Sequence, residues 1–339
     1  MRRRQNLEKA VRAAWEAFAV GDAMGMPTEF MRPEDIREML KDLPFDARHA
    51  VLTPSEHSYT HGDLPTGTVT DDTEQNLYLL AEIRRRGGVT LEGTLTALND
   101  WIRETDAVAK HYIGPSSLKA LKAIGDGKPA AQAGMGGTTC GGIMRTPSAV
   151  LWNPLQSEEE LEEAIVTSLL PTHNTSEALE AAGAYGFALL AAVQGKSYEE
   201  IMAAALRGGE KLIRRAPYLS CAPSSVRRIR RGEALAEEAG VIGTPSLLRD
   251  TLFQEWGTGL PSADVCGAVF ALFSLYRKKT WAAIIEAATL GGDTDTIAAL
   301  VGALCAAHAG KSDVPESVKE KVAAVNRPLF EAKYPEALA

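Results

Sequence analysis

The chain has 339 residues, 45% of them hydrophobic and 24% charged, with a net charge of −8 at pH 7. That supply of apolar side chains supports a sizeable core, and the acidic balance argues against nucleic acid or an anionic membrane as the main partner. Cys140, Cys221, Cys266 and Cys305 are widely spaced and form no Cys-X-X-Cys pair, so a disulfide framework and a zinc site are both set aside.

The N-terminus, Met1-Arg2-Arg3-Arg4, is basic, but Glu8, Lys9, Arg12 and Glu16 interrupt any apolar signal core. No stretch reaches the roughly 18 apolar residues of a membrane span, so a reducing cytoplasm is the expected location. Residues 6–21 carry Leu7, Ala10, Val11, Ala14, Trp15 and Phe18 at helical spacing, with Trp15 and Phe18 on the core face. Residues 73–86 repeat the pattern with Leu77, Leu80, Ala81 and Ile83. So do 158–170, 175–194, 197–214, 263–276, 280–290, 294–309 and 315–325, the last stretches enclosing Cys266 and Cys305 as buried small hydrophobes. Strand alternation is missing; the β-like fragments are short, such as Ala149-Val150-Leu151-Trp152. Gly/Pro-rich loops are expected at 21–33, 52–68, 125–148, 216–225 and 240–246. The expectation is a compact all-α fold with long Gly-rich loops, one domain over 1–339, without internal repeats.

Two acidic clusters open helices. Thr70-Asp71-Asp72-Thr73 precedes one helical pattern and, alone, reads as an N-cap with Thr70 or Asp71 as the capping residue. Gly291-Gly292-Asp293-Thr294-Asp295-Thr296 precedes Ile297–Leu304, which is apolar nearly all round and therefore buried. Carboxylates packed together in an interior repel, at about 4 Å by roughly 4 kcal/mol for an effective dielectric near 20. Shared protons or bound cations relieve that repulsion. Clustered Asp and Thr oxygens suit hard divalent ions, and Asp71, Asp72, Asp293 and Asp295 supply four charges, matching two M²⁺. Glu29 would add a fifth beside a nucleophilic water.

The remaining motifs have plainer readings beside the functional ones. Gly134-Met135-Gly136-Gly137-Thr138-Thr139-Cys140-Gly141-Gly142 fails both the dinucleotide fingerprint and the P-loop; it is either a flexible loop or a cradle of backbone N–H groups for a diphosphate. His173 is either a structural histidine or a ligand contact. His49, His57 and His61 lack the spacing of a metal motif and are expected on the surface. Arg227-Arg228-Ile229-Arg230-Arg231 reads as a solvated helix face, or else as a grip on an acidic macromolecule. Trp101, Trp152, Trp256 and Trp281 are scattered and indicate nothing further.

Three segments, Gly21–Glu29 (Gly-Asp-Ala-Met-Gly-Met-Pro-Thr-Glu), Gly67–Glu74 and Gly291–Ile297, together resemble the ADP-ribosylglycohydrolase family, in the family's order and across nearly the whole chain. The resemblance implies an orthogonal all-α bundle with two Mg²⁺ or Mn²⁺ ions held by Thr70, Asp71, Asp72, Asp293, Asp295 and Thr296, with Glu29 at the metal edge. It implies ADP-ribose in a cleft above the metals, contacted by Gly114, Gly136, Gly137, Gly141, Gly142, Met144 and His173. The family loop often reads Asn-Gly-Ala-Ala-Met-Arg; here it is Cys140-Gly141-Gly142-Ile143-Met144-Arg145, a departure that bears on substrate rather than metal. The implied activity is hydrolysis of the N- or O-glycosidic bond that joins ADP-ribose to an arginine or serine side chain, or to another acceptor. Glu29, Asp72 or Asp293 is expected to serve as acid or base. The competing readings are a non-catalytic ADP-ribose-binding protein of the same fold and a metal-dependent phosphohydrolase. An ADP-ribosylated protein or ADP-ribose derivative is the expected partner, with ADP-ribosylated nucleic acid a less expected alternative and no membrane.

Overall fold

The computed structural model describes residues 2–42, 51–110, 112–242 and 245–334. Among them every regular element is a helix: α1 (Arg2–Gly25), α2 (Pro33–Leu40), α3 (Asp71–Arg86), α4 (Leu91–Thr105), α5 (Pro115–Gly125), α6 (Ala130–Ala133), α7 (Thr146–Leu151), α8 (Glu158–Leu169), α9 (Ser176–Val193), α10 (Tyr198–Leu212), α11 (Ser225–Ile242), α12 (Pro245–Thr251), α13 (Ser262–Tyr276), α14 (Thr280–Ala288), α15 (Thr294–Ala309), α16 (Glu316–Val325) and α17 (Arg327–Lys333). The all-α expectation holds. The chain divides into two compact units: residues 1–73, 229–260 and 267–339, and residues 74–228 and 261–266.

The first unit is built around α15, whose residues from Thr294 to Ala307 are all buried. It packs against α1 and α14, and α16 closes on α1. The α1–α15 crossing is close because α1 carries glycine there: a Cβ at Gly21 would sit 2.3 Å from the Ala298 carbonyl oxygen, and one at Gly25 would sit 2.3 Å from that of Thr294. Trp15 and Phe18 lie in the core as the spacing predicts, in edge contact at 6.2 Å.

The second unit is built around α9, buried along its whole length and packed against α7, α8 and α10. Gly183 and Gly208 face each other across the α9–α10 crossing, where either Cβ would strike the other's carbonyl at 2.5 Å or less. Ser157 and Ser197 start α8 and α10 with capping boxes closed by Glu160 and Glu200.

Several expectations are corrected. Ala149-Val150-Leu151 belongs to α7, not to a β-like fragment: Pro147 sits in its first turn, and a four-residue apolar run cannot by itself separate strand from helix. The segment 125–148 is broken by α6 and two short 3₁₀ turns, and 240–246 is largely helical at the end of α11 and the start of α12. Arg227, Arg230 and Arg231 are exposed as expected, while Arg228 pairs with Asp264. Cys266 and Cys305 are buried. No helix among the described residues is long and apolar enough to cross a membrane.

Candidate metal centre and glycine-rich loop

The first unit gathers Glu29, Asp293 and Asp295, each offering one carboxylate oxygen within 4.8 Å of the others. Their meeting follows from the helix crossing. Gly25 ends α1 against the start of α15, where the Thr294 hydroxyl donates to the Gly25 carbonyl (2.8 Å). The Thr28 hydroxyl donates to the Ala288 carbonyl (2.6 Å). One residue past Glu29, Phe30 N donates to Gly292 O (2.7 Å), and Gly292 N returns a bond to Met31 O (3.1 Å). Gly292 has φ +82°, and a Cβ there would lie 2.2 Å from the Thr258 carbonyl, so only glycine fits. Asp293 N then donates to that same carbonyl (2.7 Å). Glu29 and Asp293 are thereby pinned side by side.

The start of α3 is held from a distance. Asp22, fully buried in α1, accepts Thr70 N (2.9 Å), the Thr70 hydroxyl (2.8 Å) and Thr73 N (3.0 Å). Thr70 stands at the cap position directly before α3, as the sequence predicts, but the side chain that accepts the first-turn amide of Thr73 is a carboxylate from another helix, Asp22. Asn326, at the end of α16, accepts Val69 N (3.1 Å) and donates to Gly67 O (2.8 Å), which fixes the approach to Thr70. Thr70 Oγ1 also lies 3.3 Å from Asp295 Oδ2, and the Thr296 hydroxyl donates to Asp72 Oδ2 (3.1 Å). The two acidic clusters therefore meet through threonine hydroxyls. Asp72 is buried at this junction; Asp71, at the first position of α3, is half-buried and stands outside the Glu29–Asp293–Asp295 group.

Burial, and then the charge of Asp295, pushes Asp22 up to about 7, against the pull of the Thr73 and Thr70 hydrogen bonds. Burial and the same Asp295 charge raise Glu29 and Asp72 well above the usual carboxylate range. Buried like charges of this kind are relieved by protons or by a cation. The donors are all hard oxygens, which fits Mg²⁺ or Mn²⁺ better than a soft metal.

The sequence assigns no role to Asp22, beyond its place in the Gly21–Glu29 segment, or to Asn326, and the structure corrects the surface position expected for His61. His57 is exposed, but His61 is buried with Nε2 2.6 Å from Glu29 Oε2; His49 lies outside the described residues. Thr60 Oγ1 also reaches Glu29 Oε2 (3.4 Å). Burial lowers the His61 pKa despite the surrounding carboxylates.

In the second unit, the glycines of the 134–145 segment press onto residues 169–174. A Cβ on Gly134 would meet the Leu170 carbonyl at 2.2 Å, and one on Gly137 the Thr172 carbonyl at 1.9 Å. One on Gly141 would lie 2.8 Å from His173 Cε1, and one on Gly142 3.0 Å from Leu169 Cδ2. Gly136 and Gly114 face open space, Gly114 as the residue before α5. Met144 is buried, its carbonyl accepting Asn76 Nδ2 (2.7 Å). His173 is fully buried, Nδ1 2.8 Å from Thr172 Oγ1 and Nε2 3.0 Å from Thr139 Oγ1. Arg145, also fully buried, donates to Thr172 Oγ1 (2.5 Å) and Gln75 Oε1 (3.2 Å). Burial and the Arg145 charge hold His173 well below the usual histidine value, hence neutral.

Residues 3–338 match the ADP-ribosylglycohydrolase family. The chain is 29% identical over 324 residues to the uncharacterized protein YegU of Escherichia coli K12, covering 95% of this chain and 93% of that one. It is 29% identical over 302 residues to an uncharacterized protein of Archaeoglobus fulgidus, covering 88% and 87% respectively. A solved structure described as an ADP-ribosylglycohydrolase-related protein complex superimposes with a TM-score of 0.64 at 23% identity, over 97% of this chain and 99% of the other; at that identity the likeness speaks for the fold. With the three motif segments, the acidic cluster they form and a match from residue 3 to residue 338, the chain belongs to the ADP-ribosylglycohydrolase family.

Proposed function

We propose that the protein is a metal-dependent hydrolase that cleaves the glycosidic bond between ADP-ribose and an acceptor, an arginine or serine side chain of a modified protein being the leading substrate class. The observation that carries this reading is the convergence of Glu29, Asp293 and Asp295 within 4.8 Å, with Asp72 joined to them through Thr296. The proposed resident ions are two Mg²⁺ or Mn²⁺, held by Thr70, Asp71, Asp72, Asp293, Asp295 and Thr296, with Glu29 at the edge. When bound, such cations polarise ribose hydroxyls and water.

The protein's own groups do the rest. Asp72 and Asp293 are fixed by backbone and threonine contacts, so they hold their charge in place as positive charge develops at the anomeric carbon. Glu29, at the edge of the acidic group and held by His61 Nε2 and the Thr60 hydroxyl, is the group proposed to exchange a proton with the leaving group or with attacking water. The diphosphate is assigned to the Gly134–Arg145 segment.

The test is release of free ADP-ribose from arginine-linked and serine-linked protein substrates, run in parallel with Mg²⁺, Mn²⁺ or EDTA. Release that depends on metal supports the proposal. No release from either substrate at saturating metal overturns it.

A further inference from the structure

We infer that Thr139 donates a hydrogen bond to an oxyanion of the bound ligand, its hydroxyl held in the donating sense by a buried chain from Arg145 through Thr172 and His173. The inference rests on the proposed function only for the identity of that oxyanion, the diphosphate of ADP-ribose.

The direction of the chain follows from donor counting. Arg145 can only donate, so Thr172 Oγ1 accepts from Nη2. Among the described residues, the Thr172 hydroxyl has one other hydrogen-bond partner, His173 Nδ1 at 2.8 Å, and Thr172 is fully buried. If Nδ1 carried the proton, the Thr172 hydroxyl hydrogen would be left without an acceptor in the interior, an arrangement folded proteins avoid. Thr172 therefore donates to Nδ1. The neutral ring then carries its proton on Nε2 and donates it to Thr139 Oγ1 (3.0 Å). That is the hydrogen bond the structure gives the Thr139 hydroxyl, and it uses the oxygen as acceptor. The Thr139 proton remains for a partner outside the chain. A guanidinium at the head of the chain polarises each link in the same sense.

The site around Thr139 is built to hold this direction. Ser262 N and Oγ donate to Thr138 O (2.9 and 3.0 Å), and Ser262 Oγ lies 2.7 Å from Thr139 O. Gly137 and Gly141, on either side, are pressed against Thr172 and His173. Thr139 itself is only half-buried, so a ligand can reach it, whereas His173 is sealed. His173 is thus a positioning residue that acts on the ligand through Thr139. A site whose free group is a donor selects an acceptor-rich ligand, and an anionic phosphate oxygen is the strongest such acceptor.

Two measurements test this. Long-range ¹H–¹⁵N spectra of the histidine-labelled, ligand-free protein should show His173 as the neutral Nε2–H tautomer; the Nδ1–H tautomer or an imidazolium at pH 7 overturns the inference. Calorimetric titration with ADP-ribose in Mg²⁺, and with inorganic pyrophosphate in EDTA so that the acidic cluster does not contribute, should show about tenfold weaker binding for Thr139→Val. Thr139→Ser should stay within about twofold of the parent, and Thr172→Val should weaken binding and mix the tautomers. Thr139→Val binding both ligands like the parent overturns the inference, as does a parent protein that binds neither. If pyrophosphate binds and ADP-ribose does not, the proposed function falls, and the pyrophosphate series alone judges Thr139.

Discussion

The two units share a plan and differ in sign. Each is centred on a fully buried helix, α15 or α9, that crosses a neighbour at glycines and carries a polar cluster at or just before its N-terminus. Ahead of α9 the groups are a guanidinium, a neutral imidazole and two threonine hydroxyls, and they satisfy one another in a row. At the start of α15 they are carboxylates facing carboxylates, with threonines bridging them. A row of donors and acceptors is stable as it stands and leaves one donor over for a ligand. A nest of like charges is a standing demand for a cation or for protons. The same architecture therefore yields a rigid support in one unit and a stressed, ion-seeking centre in the other.

The sharpest way to break this comparison is Asp293→Ala. Turnover and metal affinity should fall by about a hundredfold or more. In EDTA the variant should melt no lower than the parent, because a repelling charge has gone. A variant with near-parent activity in saturating metal would remove Asp293 from the mechanism.

On the other side, Gly137→Ala should cost about 3 kcal/mol by forcing a methyl onto the Thr172 carbonyl, whereas Gly136→Ala should change stability by less than about 0.5 kcal/mol. Chemical denaturation separates the two. Equal effects would mean that these glycines serve flexibility rather than close packing.

The stress in the acidic centre should also appear as a pH dependence of the metal-free protein. Asp22 is raised to about 7, and Glu29 and Asp72 are raised as well, so the folded chain keeps protons that the unfolded chain sheds above about pH 4. This contribution is whole below the unfolded value and is lost as pH rises through the folded one. Stability in EDTA should therefore fall by up to about 1.4 kcal/mol per pH unit for each retained proton, from about pH 4 up to the folded value, about 7 for Asp22, above which the Asp22 share levels off. His61 and His173, with lowered values, offset part of this fall below about pH 6.5, where the unfolded chain gains protons that the folded one refuses. Melting in EDTA across this range should decline, and a flat profile would mean the carboxylates are not under strain. A more modest effect on the acidic centre than that of Asp293→Ala is expected for His61→Ala, which loosens Glu29 and should weaken metal binding about tenfold, read by calorimetry.

How much of this was legible in the sequence depends on how local the signal is. Asp293 to Thr296 announce themselves because an almost wholly apolar helix follows them at once. Asp22 does not, since it lies within a helix and its partners are the amides of Thr70 and Thr73, about fifty residues on; the clue is a carboxylate in the otherwise apolar run from Phe18 to Met26. His61 sits in an irregular segment with no period to read, and only the fold shows that this segment turns back onto α1, where the Thr53 hydroxyl meets Met24 Sδ at 4.0 Å. The 134–145 glycines were visible, but glycine has the same letter whether it cradles an anion or lets two backbones touch. The carbonyls of Leu170 and Thr172 decide for backbone contact at Gly134 and Gly137, and open space leaves Gly136 available to a ligand.

The bond between Thr296 and Asp72 spans 224 positions. During synthesis the early half of the acidic nest emerges long before the late half exists, so the nascent chain cannot grip an ion there until α15 has left the ribosome and slotted against Gly21 and Gly25. On the proposed function, loading with metal would therefore be a late event in the life of the chain. An ion held between these segments acts as a clasp, tying the beginning of the polypeptide to a stretch made near the end of its translation.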